Sequence, residues 1–308
     1  MKNFINISDL TSKELRSIIE EAKKRKKNRE NLNKSSPDDD KPFDGKSMAM
    51  IFEKPSTRTR MSFEIAIKQL GGSCITLNPE VIHYGKGDES LKDTAKVLTE
   101  YVDIVMLRTS LHKNLEEFGK HLKIPIINGL SDLSHPCQIM SDILTFEETK
   151  GEIKDKVISW LGDGNNNMSN SLIEAAGKFG FKLQIGCPNK YTPNKNILSW
   201  AKKNNVNLLI TKNPHEAVKN SDCVMTDKWV SMNDKVNKKL KKEKLKKYQV
   251  NKKLMKLAKP DAIFMHCLPV GRGEEVTDEV IDGKQSVVWR QALNRVHAQK
   301  SIINWCLN

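Results

Sequence analysis

The chain predicts an α/β fold of two doubly wound domains, each a mostly parallel sheet flanked by helices. Three observations carry that prediction. Short apolar runs with strand character alternate with stretches whose apolar residues recur at helical spacing, as residues 47–52 are followed by Phe63, Ile67 and Leu70. The alternation stops near Gly151 and then restarts. Strands that alternate with helices need right-handed crossovers, and crossovers make parallel pairs. Finally, the chemically expressive side chains follow strands, and ligands of open parallel sheets bind beyond the carboxyl ends of strands. A length of 308 residues suits about two domains, each burying its own core.

Residues 8–30 read as a helix, with Leu10, Leu15, Ile18, Ile19 and Ala22 in one stripe. The polar run 35–40, with Pro37 inside it, ends that helix in an exposed loop. Strands are predicted over 47–52, 72–77, 103–107 and 124–127. Helices are predicted after Arg60, over 93–101 with Ala95, Leu98 and Tyr101 on one face, and over 115–122. A helix over 136–150 closes this half, and Pro136 suits its first turn. The second half predicts strands over 156–161, 182–186, 207–210, 222–226 and 262–266, with a helix over 168–179. The expected domains are therefore 1–150 and 151–289, with a C-terminal helix over about 290–308.

Composition excludes several classes. Hydrophobic residues make up 38% and charged residues 29%, and no apolar run approaches the roughly 20 residues that span a bilayer, so no membrane role is expected. Residues 1–7 lack the apolar core and cleavage site of a secretory signal. The six cysteines are scattered without a Cys-x-x-Cys pair, which suits reduced thiols in a cytoplasm. The net charge of +14 raises a nucleic-acid reading, but most of it is lysine in solvated-looking runs, densest over 235–256, without a series of aromatics to stack bases. A lysine-rich surface is expected instead. Arginine is scarce, and Arg58, Arg60, Arg108 and Arg290 sit at the edges of apolar segments, where a planar fork is useful.

The densest chemistry is Ser56-Thr57-Arg58-Thr59-Arg60, between a strand and a helix start. Free N–H groups at a helix N-terminus, three hydroxyls and two guanidinium groups suit a compact dianion such as phosphate. A plain N-cap whose first turn happens to hold two arginines is the other reading. Further polar groups follow later strands: Arg108; His135-Pro136-Cys137-Gln138; Asn165-Asn166-Asn167; Asp227-Lys228-Trp229-Val230-Ser231-Met232; and His266-Cys267-Leu268-Pro269. Gly162-Asp163-Gly164 lacks the third glycine of a dinucleotide fingerprint, and no Gly-x-x-x-x-Gly-Lys-Ser/Thr run occurs. No metal is expected at His266 and Cys267, because adjacent strand residues point to opposite faces.

Together Ser56-Thr57-Arg58-Thr59-Arg60, His135-Pro136-Cys137-Gln138, Asp227-Lys228-Trp229-Val230-Ser231-Met232 and His266-Cys267-Leu268-Pro269 resemble the ornithine carbamoyltransferases, in order and over essentially the whole chain. The first two motifs are shared with the aspartate enzymes; Cys267 and the Asp-x-Trp-x-Ser-Met stretch set the ornithine branch apart. The resemblance implies a carbamoyl-phosphate domain, an ornithine domain, and a C-terminal helix returning to the first. It implies a homotrimer with active sites at subunit interfaces, and no cofactor. It assigns the phosphate to Ser56, Thr57, Arg58 and Thr59, with His83 reaching a neighbour's phosphate. The carbamoyl oxygen falls to Arg58, Thr59, Arg108 and His135, the carbamoyl amide to Gln138, and closure of the site to Arg290. Ornithine falls to Asn167, Asp227, Ser231 and Met232, with Cys267 and Leu268 lining the reacting amine. The chain departs from the pattern at Asn233-Asp234, where glycine and glutamine are common, and carries one extra residue between Gly85 and Ser90. The expected reaction is carbamoyl transfer from carbamoyl phosphate to the side-chain amine of L-ornithine, giving L-citrulline. The alternatives are another acceptor (aspartate, putrescine or an acylated ornithine) or a non-catalytic basic binding protein.

Overall fold

The computed structural model describes residues 1–77, 89–230 and 237–308. The positions His83, Ser231, Met232, Asn233 and Asp234, and the extra residue before Ser90, lie outside or at the edge of these described residues. The chain forms two compact units, 1–144 with 293–308, and 145–292.

The first unit runs α1 (Ser12–Lys27), β1 (Ser47–Phe52), α2 (Thr57–Gln69), β2 (Ser73–Leu77), α3 (Leu91–Tyr101), β3 (Ile104–Arg108), α4 (His112–His121) and β4 (Ile126–Leu130). It ends with most of α5 (Pro136–Lys150). Thr11 caps α1 in a capping box with Glu14, which fixes its start four residues later than the apolar stripe suggests. The sheet order is β2-β1-β3-β4, and every pair is parallel. Strands covered by helices on both faces read as continuous apolar runs, as Met48 to Phe52 and Ile104 to Leu107 do. The chain passes from β1 out to β2 and then back across β1 to β3. That reversal is a topological switch point, where such sheets open a crevice beyond the strand ends. Ser56 to Arg60 follow β1, and Arg108 is the last residue of β3.

The second unit runs β5 (Val157–Leu161), α6 (Asn167–Phe179), β6 (Lys182–Gly186), α7 (Lys195–Lys203), β7 (Leu208–Thr211), α8 (Pro214–Val218) and β8 (Cys223–Thr226). It continues through α9 (Lys238–Leu245), α10 (Lys252–Met255), β9 (Ile263–His266), α11 (Asp278–Ile281) and the start of α12 (Val288–Leu307). The order β7-β6-β5-β8-β9 is again all parallel, with its switch point between β5 and β8. The lysine-rich stretch is not simply solvated. Leu245, Tyr248, Val250, Leu254 and Met255 are buried in one cluster with Val224 and Phe264, while most lysines between them stay exposed.

The last turns of α12 belong to the first unit. Their anchor is a buried cluster around Asp38. Lys300 Nζ lies 2.9 Å from Asp38 Oδ2, Arg29 Nη1 2.6 Å from Oδ1, and Arg25 Nη1 3.1 Å from Oδ2. Burial works against the Asp38 charge, but Lys300 and Arg29 hold its carboxyl below the ordinary value. A carboxyl depressed in the folded state stabilises at pH above its unfolded value, and that stability is lost as pH falls through the folded value. Thermal unfolding followed against pH should therefore show stability falling below about pH 4. Asp38→Asn should lose most of this limb and about 3–5 kcal/mol at neutral pH, because buried cations lose their counter-charge. A variant as stable as the parent would remove Asp38 from the anchor.

Candidate active site

In the first unit the strand-end residues converge on one hydroxyl. Ser56 stands at the N-cap of α2 with extended φ and ψ, yet its side chain makes no capping hydrogen bond. The helix therefore begins at Thr57, earlier than its apolar pattern shows, and its first turn contains Arg58, Thr59 and Arg60. The N–H groups of Thr57, Arg58 and Thr59 have no partner within the helix and suit an anion, whereas that of Arg60 donates to the Ser56 carbonyl at 3.2 Å. Thr59 is buried, and its Oγ1 accepts from Arg108 Nη1 at 3.1 Å and from Arg295 Nη2 at 2.8 Å. With two guanidinium groups donating to that oxygen, its own O–H is left to donate outward. Arg295 Nη1 also donates to Gln138 Oε1 at 2.8 Å, and Gln138 Nε2 donates to Asp142 Oδ1 at 2.8 Å. His135 is buried beside them; desolvation, then the charges of Arg295 and Arg108, hold its pKa well below the usual histidine value. It is a neutral imidazole at physiological pH. Two like charges sharing one neutral oxygen are unfavourable for stability alone and favourable for an anion. Glu53 steadies the frame: it accepts from Thr109 Oγ1 and from Ser110 N, both at 2.7 Å, while its own N–H donates to the Arg108 carbonyl at 2.9 Å. Arg108 thus leaves a strand end held on two sides.

In the second unit the groups follow β5, β8 and β9. Gly162 takes a φ of 120°, and a Cβ there would sit 3.3 Å from the buried Trp229 Nε1, so glycine serves both the turn and the close approach. Asn166 caps α6 through a box with Ser169, leaving Asn167 half-buried in the first helical turn. Asp227 is half-buried just past β8. Its Oδ1 accepts from Cys267 Sγ at 3.0 Å and from the N–H of Lys228 at 2.7 Å. His266 is buried, with its N–H held by Gln291 Oε1 at 2.9 Å. Its Nδ1 accepts from the N–H of Leu268 at 2.9 Å, so Nε2 carries the proton and donates to the buried Glu275 Oε1 at 3.2 Å. Glu275 also accepts from the N–H of Gly271. Leu268 sits in the left-handed region at φ 58°, costly for leucine, and precedes a cis proline. The imidazole and carboxylate together hold the turn that follows Cys267.

The two halves match known sequence patterns and known folds. Residues 2–148 match the family described as aspartate/ornithine carbamoyltransferase, carbamoyl-P binding domain, and residues 154–306 match its Asp/Orn binding domain. The chain belongs to the aspartate/ornithine carbamoyltransferase family. An ornithine carbamoyltransferase of Rhizobium meliloti is 48% identical over 306 residues, covering 99% of this chain and 98% of that protein. One from Rhodopseudomonas palustris is 49% identical, covering 99% and 96%. The solved ornithine carbamoyltransferase of Pyrococcus furiosus superposes with a TM-score of 0.91 at 42% identity, covering 98% of this chain and 96% of that one.

Within this carbamoyltransferase fold three expectations need correction. The C-terminal arginine in the Thr59 cluster is Arg295. Arg290 is exposed and its Nη1 lies 3.5 Å from Thr149 Oγ1. The missed signal was periodicity: Arg295 shares a helix face with the buried Val288, Ala298 and Ile302, three or seven residues away, and Arg290 does not. Arg60 does not join the anion turn either. It is exposed and paired with Glu64 at 2.7 Å, one helical turn on. Third, His266 and Cys267 are not held apart by strand alternation, because β9 ends at His266; ligand-type atoms of Asp227, His266 and Cys267 lie within 4.8 Å of one another. Both ring nitrogens of His266 are engaged, Nδ1 by the Leu268 N–H and Nε2 by Glu275, so the imidazole has no lone pair to spare for a metal, and Cys267 hydrogen-bonds to Asp227 instead.

Proposed function

We propose that this carbamoyltransferase moves the carbamoyl group of carbamoyl phosphate to the side-chain amine of L-ornithine, giving L-citrulline and phosphate. The observation that carries the reading is the Thr59 hydroxyl held between Arg108 and Arg295, beside Gln138 and a neutral His135. Carbamoyl phosphate is a mixed anhydride and reacts without a covalent intermediate on the protein or a cofactor. Its phosphate is assigned to the amides and hydroxyls of Ser56, Thr57 and Thr59 and to the Arg58 fork. As the amine attacks, charge builds on the carbamoyl oxygen. Arg58, Arg108, His135 and the Thr59 hydroxyl are assigned to it as donors fixed beforehand, which is where such donors contribute most. A neutral imidazole suits this role, since it donates without adding a third charge. Gln138 Oε1 keeps a second lone pair for the carbamoyl NH2, and Arg295 replaces Arg290 as the closing cation.

Ornithine is assigned to Asn167, Asp227, Ser231 and Met232, with Cys267 and Leu268 beside the reacting amine. A carboxylate that accepts from a thiol matches a free amino acid whose ammonium it can hold. It disfavours aspartate, which would bring a second carboxylate, and putrescine, which has no carboxylate for Asn167. Free cysteines throughout fit a reducing cytoplasm. We assign a homotrimer with His83 serving a neighbour's phosphate. Its support on the fold is a set of exposed apolar side chains, Met61, Ile75, Val97 and Tyr101, on α2, the edge strand β2 and α3.

The test is citrulline formation from ornithine, aspartate and putrescine in parallel, with light scattering on the same preparation. Ornithine should be used and the others not, at a mass three times the 35.0 kDa of the chain. Turnover of putrescine in preference to ornithine would overturn the acceptor assignment, and an active monomer would overturn the shared site.

A further inference from the structure

Among the described lysines of residues 235–256, Lys241 is the buried one. Its Nζ lies 2.6 Å from Asp163 Oδ2, with only 5% and 7% of the two side chains exposed, and 5.3 Å from the centre of the Tyr191 ring. A buried ion pair gives little net stability over an apolar pair of the same shape, so its presence asks for another reason. Asp163 supplies one. It opens the turn between β5 and α6: its Oδ1 accepts from the N–H of Asn165 at 2.9 Å, and its carbonyl accepts from Trp160 Nε1 at 2.9 Å. One carboxylate oxygen thus shapes the turn and the other is fixed by Lys241. Asn167 starts α6 immediately after that turn. The turn has no slack on its far side, since a Cβ on Gly164 would meet the Tyr191 carbonyl at 2.8 Å and Cys187 Sγ at 3.1 Å.

We propose that Lys241 is a positioning residue for amino-acid binding: through Asp163 it fixes the turn that presents Asn167 to the α-carboxylate of ornithine. The proposal rests on the ornithine reading above. It gives the lysine-rich helix α9 a role in the reaction that its exposed lysines do not have.

The experiment compares Lys241→Met and Lys241→Arg with the unaltered enzyme, reading KM for ornithine, KM for carbamoyl phosphate, kcat and the inhibition constant of L-norvaline. Norvaline keeps the α-ammonium and α-carboxylate of ornithine and lacks the side-chain amine, so it reports on the α-handle alone. In Lys241→Met the ornithine KM and the norvaline constant should rise together, by about tenfold or more, as when a charged hydrogen-bonding partner is removed. The carbamoyl-phosphate KM should not change and kcat should fall less than about threefold, while Lys241→Arg should recover most of the loss. In an Asn167→Ala background Lys241→Met should add little, because both changes act on one contact. If Lys241→Met alone does not fold, the double variant Asp163→Asn with Lys241→Met, which leaves no buried charge unpaired, takes its place. Unchanged norvaline binding in a folded variant, or full additivity with Asn167→Ala, would overturn the proposal. Failure of the unaltered enzyme to use ornithine would instead overturn the reading beneath it.

Discussion

Arg295→Lys is expected to lower turnover by about 100-fold or more, with a thermal midpoint within a few degrees of the parent. Removing one preorganised donor from a developing oxyanion typically costs about 100- to 1000-fold in turnover. Arg295 holds one of the assigned donors, the Thr59 hydroxyl, in place. Its two Nη atoms fix Thr59 and Gln138 together, 2.8 Å from each. A lysine keeps the charge but has one point of attachment and cannot hold both in a plane. Either the hydroxyl or the amide will then drift, and a small misplacement at a reacting centre is expensive. The charge that helps keep His135 neutral is retained, so the imidazole should stay unprotonated. Arg290→Lys is the matched control. That arginine is exposed beside Thr149, and its loss should change kcat/KM less than about twofold. Equal effects from the two substitutions, measured by steady-state kinetics on folded protein, would show that the Thr59 cluster is not the carbamoyl site.

Asp227→Asn should cut kcat/KM for ornithine by about 100-fold or more while leaving the carbamoyl-phosphate KM and the fold unchanged. The substitution is nearly isosteric. The amide oxygen of asparagine can still accept from Cys267 Sγ and from the N–H of Lys228, so the local geometry survives and only the charge goes. An ammonium group that loses its carboxylate in a partly desolvated site costs several kcal/mol, the origin of the expected factor. If Asp227 merely tied up the N–H of the next residue, asparagine would do so as well and ornithine kinetics would not move. Norvaline inhibition separates the two possibilities without turnover, since norvaline carries the α-ammonium and α-carboxylate of ornithine but no side-chain amine.

Alternating apolar runs made the α/β class legible, because parallel strands buried on both faces have few ways to be written in sequence. The polar residues at strand ends were legible for a related reason: a side chain just past a buried strand is one of the few places where chemistry reaches solvent on such a fold. Element boundaries were less so. The start of α2 was hidden because Thr57, Arg58 and Thr59 are helical without being apolar, and α1 began late because a capping box overrode the hydrophobic stripe.

Apolar patterning was enough to give the layered α/β architecture, the restart of the pattern in the second half, and the residue types gathered at each strand end. Tertiary structure alone decided which of them meet. Strand order places β3 beside β1 and β8 beside β5, and only that order turns separate loops into switch-point clusters. The four arginines expected at the edges of apolar segments differ: Arg58 is half-buried in the first turn of α2, Arg108 is buried at the end of β3, Arg60 pairs with Glu64, and Arg290 lies on the surface. One that was not expected there, Arg295, is buried against Thr59 and Gln138. Periodicity reports where apolar residues must go, because burial of apolar area is the dominant driving force. It can put a charged residue on the buried face, as it does Arg295, but it does not name the partner, which lies more than a hundred residues away: Thr59 and Gln138 for Arg295 and Asp38 for Lys300.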